Sequence, residues 1–356
     1  ISLLFKIYPM NINSRIKLLS KLGRFFSDYL KKNNNEFDEI IFRNVDKKIE
    51  EVKHQNSFFD LDNIKNCFAY WAQNLNEKNL KKLEPNYKSE NSKNILIIMA
   101  GNIPLVGFHD FLCVFISGHR SIIKKSSKDS VLYNLIFKLL LSWEPKFENC
   151  FTIVERVNLE IDAVIATGNN SSTHFFEKYF KKYPKIIRKN RNSVAILNGN
   201  ESQKDLKKLM KDIFLYYGLG CRSVSKIFIP KDYNLDKIFK ASIDWKKLIN
   251  NNSYYNNYNY NKSIFLLNSE KFYDNGLVIL KESKKLGSPI SVLYYEKYDS
   301  LDKLKKYLDA NRDKLQCVVS NNLVKNSTKF GMTQSPALLE FADNVNTVDF
   351  LLKVNE

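Results

Sequence analysis

No stretch of this chain stays apolar long enough to cross a membrane. The most apolar neighbourhood, 95–123, is interrupted by Gly101, Asn102, Pro104, His109, Asp110 and Gly118, whereas a spanning helix needs about 18 consecutive apolar residues or more. No transmembrane segment is expected. Cysteine is scarce: five residues, an odd number without paired spacing, which argues against a disulfide framework and against a zinc site, so no metal is expected either. A reducing, cytoplasmic setting follows as the expectation. Neither GxGxxG nor GxxxxGK[ST] occurs, which leaves a standard dinucleotide fingerprint and a Walker loop unsupported. The opening Ile1-Ser-Leu-Leu-Phe5 is too short for the apolar region of a signal peptide, and Met10, just ahead of an amphipathic helix pattern over 11–33, is an alternative start to Ile1.

What is present suits a globular protein. The chain has 356 residues, 44% hydrophobic and 13% aromatic, enough for a large core and for two domains. The formal net charge is +18, a balance that raises nucleic acid or an acidic partner. The lysines, however, are scattered and interleaved with asparagine and tyrosine, most densely in the low-complexity run 250–262. The reading is therefore no nucleic acid, with long-range steering of an anionic substrate such as a pantetheine-linked nucleotide or an acidic carrier protein.

Along the chain, residues 11 to 90 carry helical apolar patterns, including 68–83 with Trp71 and Leu75. From Asn94 short β-type runs alternate with helices: strands over 95–99, 121–124, 151–154, 163–166 and 194–197, helices over 104–117, 130–143 and 172–182. Such alternation predicts a parallel sheet, whose ligands bind at the carboxyl ends of the strands. Two of those ends, Ala100-Gly-Asn-Ile-Pro104 and Thr167-Gly-Asn-Asn-Ser-Ser172, read equally as ligand loops or as ordinary turns with N-caps. A helix over 201–218 stopping at Gly218, a strand over 226–229, apolar runs at 264–267, 291–295 and 316–320 and a helix over 301–309 predict a second, smaller α/β unit.

Among the thiols Cys221 is distinct. It lies in Gly218-Leu-Gly-Cys-Arg222, on a glycine-rich turn beside a cation, while Cys67, Cys113, Cys150 and Cys317 sit among apolar neighbours. A turn thiol with backbone N–H groups and a cation nearby favours the reactive thiolate. Residue type alone leaves both packing and nucleophilic attack open.

Together these segments resemble the aldehyde dehydrogenase superfamily, and most closely its LuxC-like acyl-CoA reductase branch. Ala100-Gly-Asn-Ile-Pro104 is similar to the Asn-Phe-Pro loop, and Ser117-Gly-His-Arg-Ser-Ile-Ile-Lys124 with Lys125-Ser-Ser127 to the Gly-Asn-x-x-Val-x-Lys-Pro-Ser cofactor segment. Ala166-Thr-Gly-Asn169 is similar to the Phe-Thr-Gly-Ser loop, and Gly218-Leu-Gly-Cys221 with Ser225-Lys-Ile-Phe228 to the nucleophile turn. The tail Phe330-Gly-Met-Thr-Gln-Ser-Pro336 with 342–350 resembles the acyl-CoA reductase branch alone. The resemblance implies an α/β, aldehyde-dehydrogenase-like fold: a helical N-terminal segment over 1–90, a parallel-sheet cofactor domain over 91–198, a smaller catalytic cysteine domain over 199–335 and a tail over 336–356. It also implies Cys221 as nucleophile and Asn102 as oxyanion donor, with Lys124, Ser126, Ser127, Thr167, Gly168 and Asn169 at the cofactor.

The departures sharpen the chemistry. Where hydrolytic aldehyde dehydrogenases carry a general-base glutamate, the count falls on about Ile187, and Lys284-Lys-Leu-Gly-Ser-Pro289 replaces the Glu-x-Phe-Gly-Pro motif. Ser127 stands where an acidic residue favours an unphosphorylated ribose, so NADPH is as well suited as NADH. Without an activated water an acyl-enzyme persists and exchanges with another thiol. The implied reaction is NAD(P)H-dependent reduction of a fatty acyl thioester, on CoA or an acyl carrier protein, to the aldehyde, by a homo-oligomer. The alternative is an acyltransferase or acyl-binding protein on the same fold without hydride transfer. His109 and Asp110 read as structural or interface residues rather than a catalytic dyad, His174 as part of a partly exposed helix face rather than a cofactor contact, and Arg188 and Arg191 as solvated ion-pair partners rather than phosphate or CoA contacts.

Overall fold

In the computed structural model residues 10–33, 36–84 and 92–354 are described; the opening Ile1-Ser-Leu-Leu-Phe5 lies outside them. They form two compact units: the described residues up to Lys189 together with those from Ala337 onward, and Asn190–Pro336.

The first unit begins with four helices, α1 (Ile12–Lys31), α2 (Glu39–Gln55), α3 (Leu61–Asn74) and α4 (Glu77–Leu80). Asn11, Asp38 and Asp60 cap the first three, each side chain accepting a backbone N–H of the first turn. In α1 the predicted stripe is buried at Ile16, Leu19, Leu22 and Phe26, and the helix stops at left-handed Lys32. The α/β part follows: β1 (Asn94–Ile98), α5 (Phe108–Ile116), β2 (Arg120–Lys124), α6 (Ser130–Trp143), β3 (Phe151–Ile153), β4 (Ala163–Thr167), α7 (Asn170–Tyr179) and β5 (Lys185–Arg188). The strands are all parallel, in the order β3-β2-β1-β4-β5. The chain winds outward from β1 to β3, then crosses back to β4 and β5, so the direction reverses between β1 and β4.

Both faces of this sheet are covered, which is why its strands read as unbroken apolar runs. Ile95 and Ile97 face a large core shared with α5, α6 and the N-terminal helices. Leu96, Ile122, Val164 and Ala166 face a smaller one with Phe180. The N-terminal helices are thus part of the first unit's core: Phe26 stacks on Phe68, and the Trp71 ring meets Phe108 edge-on. Helix α5 starts later than the expected Pro104, because 104–107 form turns in which Leu105 is left-handed, φ 53°.

The second unit contains β6 (Asn192–Ile196), α8 (Gln203–Phe214), β7 (Val224–Pro230), α9 (Asp236–Ser242), α10 (Asn252–Leu267), β8 (Tyr273–Asp274), β9 (Ile279–Glu282), β10 (Val292–Tyr298), α11 (Leu301–Ala310) and β11 (Leu315–Val319). Its sheet runs β11-β6-β7-β10-β9-β8, parallel except for the β8–β9 pair. The division between units therefore falls at 189/190 rather than 198/199: Val194 of β6 registers with Lys226 and Val318, both of the second sheet. Most of the run 250–262, together with the apolar run 264–267, forms α10. Asn251 caps it, and Tyr254 and Tyr258 are buried with their hydroxyls donating to the Leu277 carbonyl and Asp274.

The chain then returns to the first unit with α12 (Thr347–Lys353), which places Val348 and Leu351 in that unit's core. The expected separate tail is part of that body.

Candidate active site

Helix α8 opens with a capping box, Ser202 and Asp205 each accepting the other's backbone N–H, and leaves helical geometry at Leu215, earlier than the expected Gly218. Three consecutive residues then take positive φ: Tyr216 at 56°, Tyr217 at 57° and Gly218 at 73°. For the two tyrosines this costs roughly 1–2 kcal/mol each, a local strain of the kind that clusters at functional sites. The path ends in a tight turn in which Ser223 N donates to Gly220 O at 2.9 Å, with Cys221 inside it. Cys221 is exposed, while Cys67, Cys113, Cys150 and Cys317 are buried, and none of the five is in a disulfide. Burial pushes the Cys67, Cys113 and Cys150 thiols up, away from the thiolate.

The turn is anchored from below. Ser193 Oγ of β6 donates to the Cys221 carbonyl at 2.8 Å and accepts Cys317 N at 3.1 Å. Arg222, expected beside the nucleophile, directs Nη1 to Cys317 Sγ at 3.5 Å. Ser225 Oγ donates to Leu286 O at 2.9 Å, in the segment 284–289. A Cβ on Gly287 would meet Asn192 Oδ1 at 2.4 Å, so that segment lies close against the first residue of β6.

In the first unit, the other seven predicted site residues gather at the carboxyl ends of β1, β2 and β4, around the reversal point. Asn102 is half-buried in the turn after β1. Its neighbour Gly101 packs so closely on the loop after β2 that a Cβ would come within 2.4 Å of Ser126 Oγ. Lys124 ends β2, its Nζ 2.9 Å from Glu155 O; Ser126 is half-buried and Ser127 exposed. Thr167 ends β4, and a Cβ on Gly168 would lie 2.8 Å from Ser172 Cβ at the start of α7. Asn169 is the α7 N-cap, its Oδ1 accepting Ser172 N and Oγ at 2.9 Å each. Hydroxyls, an ammonium group and the first N–H groups of a ten-residue helix thus share one edge, a donor set matched to phosphate and ribose oxygens. Ile187 is a half-buried aliphatic residue in β5.

Other polar residues hold the fold. His109 Nε2 bonds Leu338 O at 2.8 Å, and His174 lies on an exposed helix face. The expectation of a solvated Arg188 is corrected. It is buried, pairs bidentately with Asp110 at 2.6 and 3.2 Å, and reaches Ala342 O and Thr347 Oγ1 at 2.8 and 2.9 Å. Half-buried Arg191 directs Nη1 toward Leu315 O at 3.4 Å. Residues that sequence reasoning passed over include Asp129, which accepts Leu105 N at 2.8 Å beneath the Asn102 turn, and Asp212 on α8. Asp129 follows a recognised motif by two positions, but its burial carried no local signal.

Two α/β sheets in this order, one ending its strands in the Asn102 and Thr167 loops and the other carrying Cys221, define an aldehyde-dehydrogenase-like protein. Solved structures share the fold: aldehyde dehydrogenase 21 from Physcomitrella patens in complex with succinate (TM-score 0.62, 11% identity, 88% of this chain and 74% of that one), and the P. syringae indole-3-acetaldehyde dehydrogenase AldA in complex with NAD+ and IAA (0.62, 10%, 93% and 75%). A third is AldH from Staphylococcus aureus in a substrate-bound state (0.56, 15%, 89% and 77%). No curated protein matches the chain. The family model described as acyl-CoA reductase (LuxC) matches residues 13–241, more than half of the sequence, and the chain belongs to that family. It is accordingly of oxidoreductase type, acting on acyl or aldehyde groups.

Proposed function

We propose that this chain reduces a fatty acyl thioester, carried on coenzyme A or an acyl carrier protein, to the aldehyde through an acyl group on Cys221, with NADPH or NADH as reductant. The observation that carries the reading is the exposure of Cys221, alone of five thiols, on a strained turn in a member of the acyl-CoA reductase family.

The Cys221 thiolate attacks the thioester carbonyl carbon; the new S–C bond forms, and the carrier thiolate leaves and takes up a proton. Held by Lys124, Ser126, Ser127, Thr167, Gly168 and Asn169, a nicotinamide would supply hydride at that acyl carbon. The resulting oxyanion re-forms its C=O as the bond to Cys221 breaks, giving aldehyde and restoring the thiolate. One thioester, one hydride and one proton thus yield one aldehyde and one thiol. Asn102 and the Cys221 backbone N–H are assigned to the oxyanion, where one lost donor costs about 2.7–4 kcal/mol of barrier. Lys124, Ser126, Ser127, Thr167, Gly168 and Asn169 fit the dinucleotide by their donor chemistry, and uncharged Ser127 leaves a 2′-phosphate tolerable. The P. syringae relative by fold was solved with NAD+, which supports a nicotinamide cofactor. An aliphatic Ile187 activates no water, so the acyl group awaits hydride.

The test is a two-stage incubation. Radiolabelled long-chain acyl-CoA is expected to label wild type and not Cys221→Ala, and NADPH is then expected to release the label as aldehyde. Labelling of Cys221→Ala removes the nucleophile assignment; label that stays on the protein after NADPH or NADH leaves the acyltransferase or acyl-binding reading.

A further inference from the structure

The segment 330–334 belongs to the tail motif, yet the reaction above gives it no task. In the second unit it holds both approaches to Cys221. On the incoming side, Asp212 of α8 is fully buried; its Oδ2 accepts Gly331 N at 2.6 Å and its Oδ1 accepts Thr333 N at 3.0 Å and Thr333 Oγ1 at 2.9 Å. On the outgoing side, Gln334 Nε2 donates to Ser223 Oγ at 3.1 Å, both residues being buried. Gly331 has φ 81°, and a Cβ there would press to 3.2 Å from Lys208 Cβ on the same helix. The segment therefore lies tight against α8, and its backbone allows little but glycine at that point.

Between Asp212 and Ser223 run the three left-handed residues 216–218 and Cys221 itself. Left to itself, a chain with two tyrosines in that conformation relaxes toward ordinary φ, and the thiol moves with it. Something must oppose the relaxation at both ends. Three hydrogen bonds to one buried carboxyl group and one buried side-chain bond two residues past the thiol do so, since leaving any of these groups unpaired carries its own desolvation cost.

We propose that segment 330–334 is a clamp on the nucleophile turn, in which Asp212 and Gln334 are positioning residues that hold Cys221 in its reactive place. The inference deepens the proposed function and rests on its assignment of Cys221 as nucleophile. A segment that merely packs predicts lost stability alone; a clamp predicts lost thiol reactivity.

The experiment is a double-mutant cycle on the full chain, read as the rate of Cys221 alkylation by iodoacetamide across a pH series and followed by mass spectrometry of its peptide. Gln334→Ala and Ser223→Ala are each expected to slow alkylation at neutral pH about five- to tenfold, the worth of roughly one hydrogen bond. The double variant should be no slower than either single one. Gln334→Glu, whose carboxylate can accept from the Ser223 hydroxyl, should recover most of the rate. Circular dichroism reports whether each variant folds, and Asp212→Asn gives an independent reading from the other end. Wild-type rates in both single variants, or strictly additive losses, overturn the clamp. A wild-type Cys221 inert to both iodoacetamide and acyl-CoA overturns the proposed function as well. A reactive Cys221 unmoved by the variants removes the clamp alone.

Discussion

Asp129 and Asp212 are both fully buried carboxyl groups, and what surrounds each sets its behaviour. Asp129 accepts one backbone N–H, from Leu105, and burial lifts it well above the usual carboxylate range. Burial thus favours its neutral form, and its carboxyl group supports the left-handed Leu105 by accepting that residue's N–H. Burial also pushes Asp212 upward, to about 6, but the Gly331 and Thr333 donors and nearby Lys211 pull the other way. Its unfolded value is about 3.9. Because the folded pKa is the higher one, the folded state binds the extra proton between these values, so the contribution to stability is greatest below about pH 4 and is lost as pH rises through 6. The stability of wild type relative to Asp212→Asn should therefore fall on the order of 2–3 kcal/mol between about pH 4 and 6.5. Urea denaturation of both proteins across that range checks it, and a difference that is flat or grows with pH contradicts it.

Among the elements, β5, α5 and α12 meet at one buried ion pair. Arg188 ends β5, Asp110 lies in α5, and Thr347 opens α12. Removing one partner strands the other charge away from water, so Asp110→Ala should destabilise the first unit by about 3–5 kcal/mol. Asp110→Leu combined with Arg188→Met should cost less than Asp110→Ala alone, because no lone charge remains. Denaturation midpoints decide between these orders. Sequence pattern caught some elements and not others for physical reasons. Helix α6 was legible to the residue because it is a long apolar stretch with sharp ends. Strand β5, four residues with charged ends, carries too short a pattern to be picked out; it exists because Ile186 and Ile187 register with Ile165 and Ala166 of β4. Helix α10 lacks an apolar stripe and buries tyrosines through their hydroxyl partners, a signal no periodicity carries. The site divides in the same way. Cys221 stood out by its immediate neighbours, whereas the partners of 331–334 lie 111 to 121 residues back along the chain.

For the whole molecule, +18 formal charge on 356 residues acts beyond any single contact. If an acidic carrier protein delivers the acyl group, kcat/KM for that carrier should fall roughly tenfold as salt rises from about 50 to about 300 mM, because the field is screened within about 10 Å at moderate ionic strength. A short, uncharged acyl thioester should show little change over the same range. Equal salt responses for the two substrates would remove steering as a factor in carrier choice.

The first unit is interrupted in sequence, and that sets an order for its assembly. Residues 190–336 are contiguous and can close around their own sheet as soon as they leave the ribosome, whereas Leu338, Val348 and Leu351 of the first unit's core are made only afterwards. Until then β5 waits with the Arg188 guanidinium short of two acceptors, and α5 with a face that α12 will cover. The unit that begins first in synthesis is thus completed last, and during that interval its exposed apolar face is the surface that a holdase chaperone would meet.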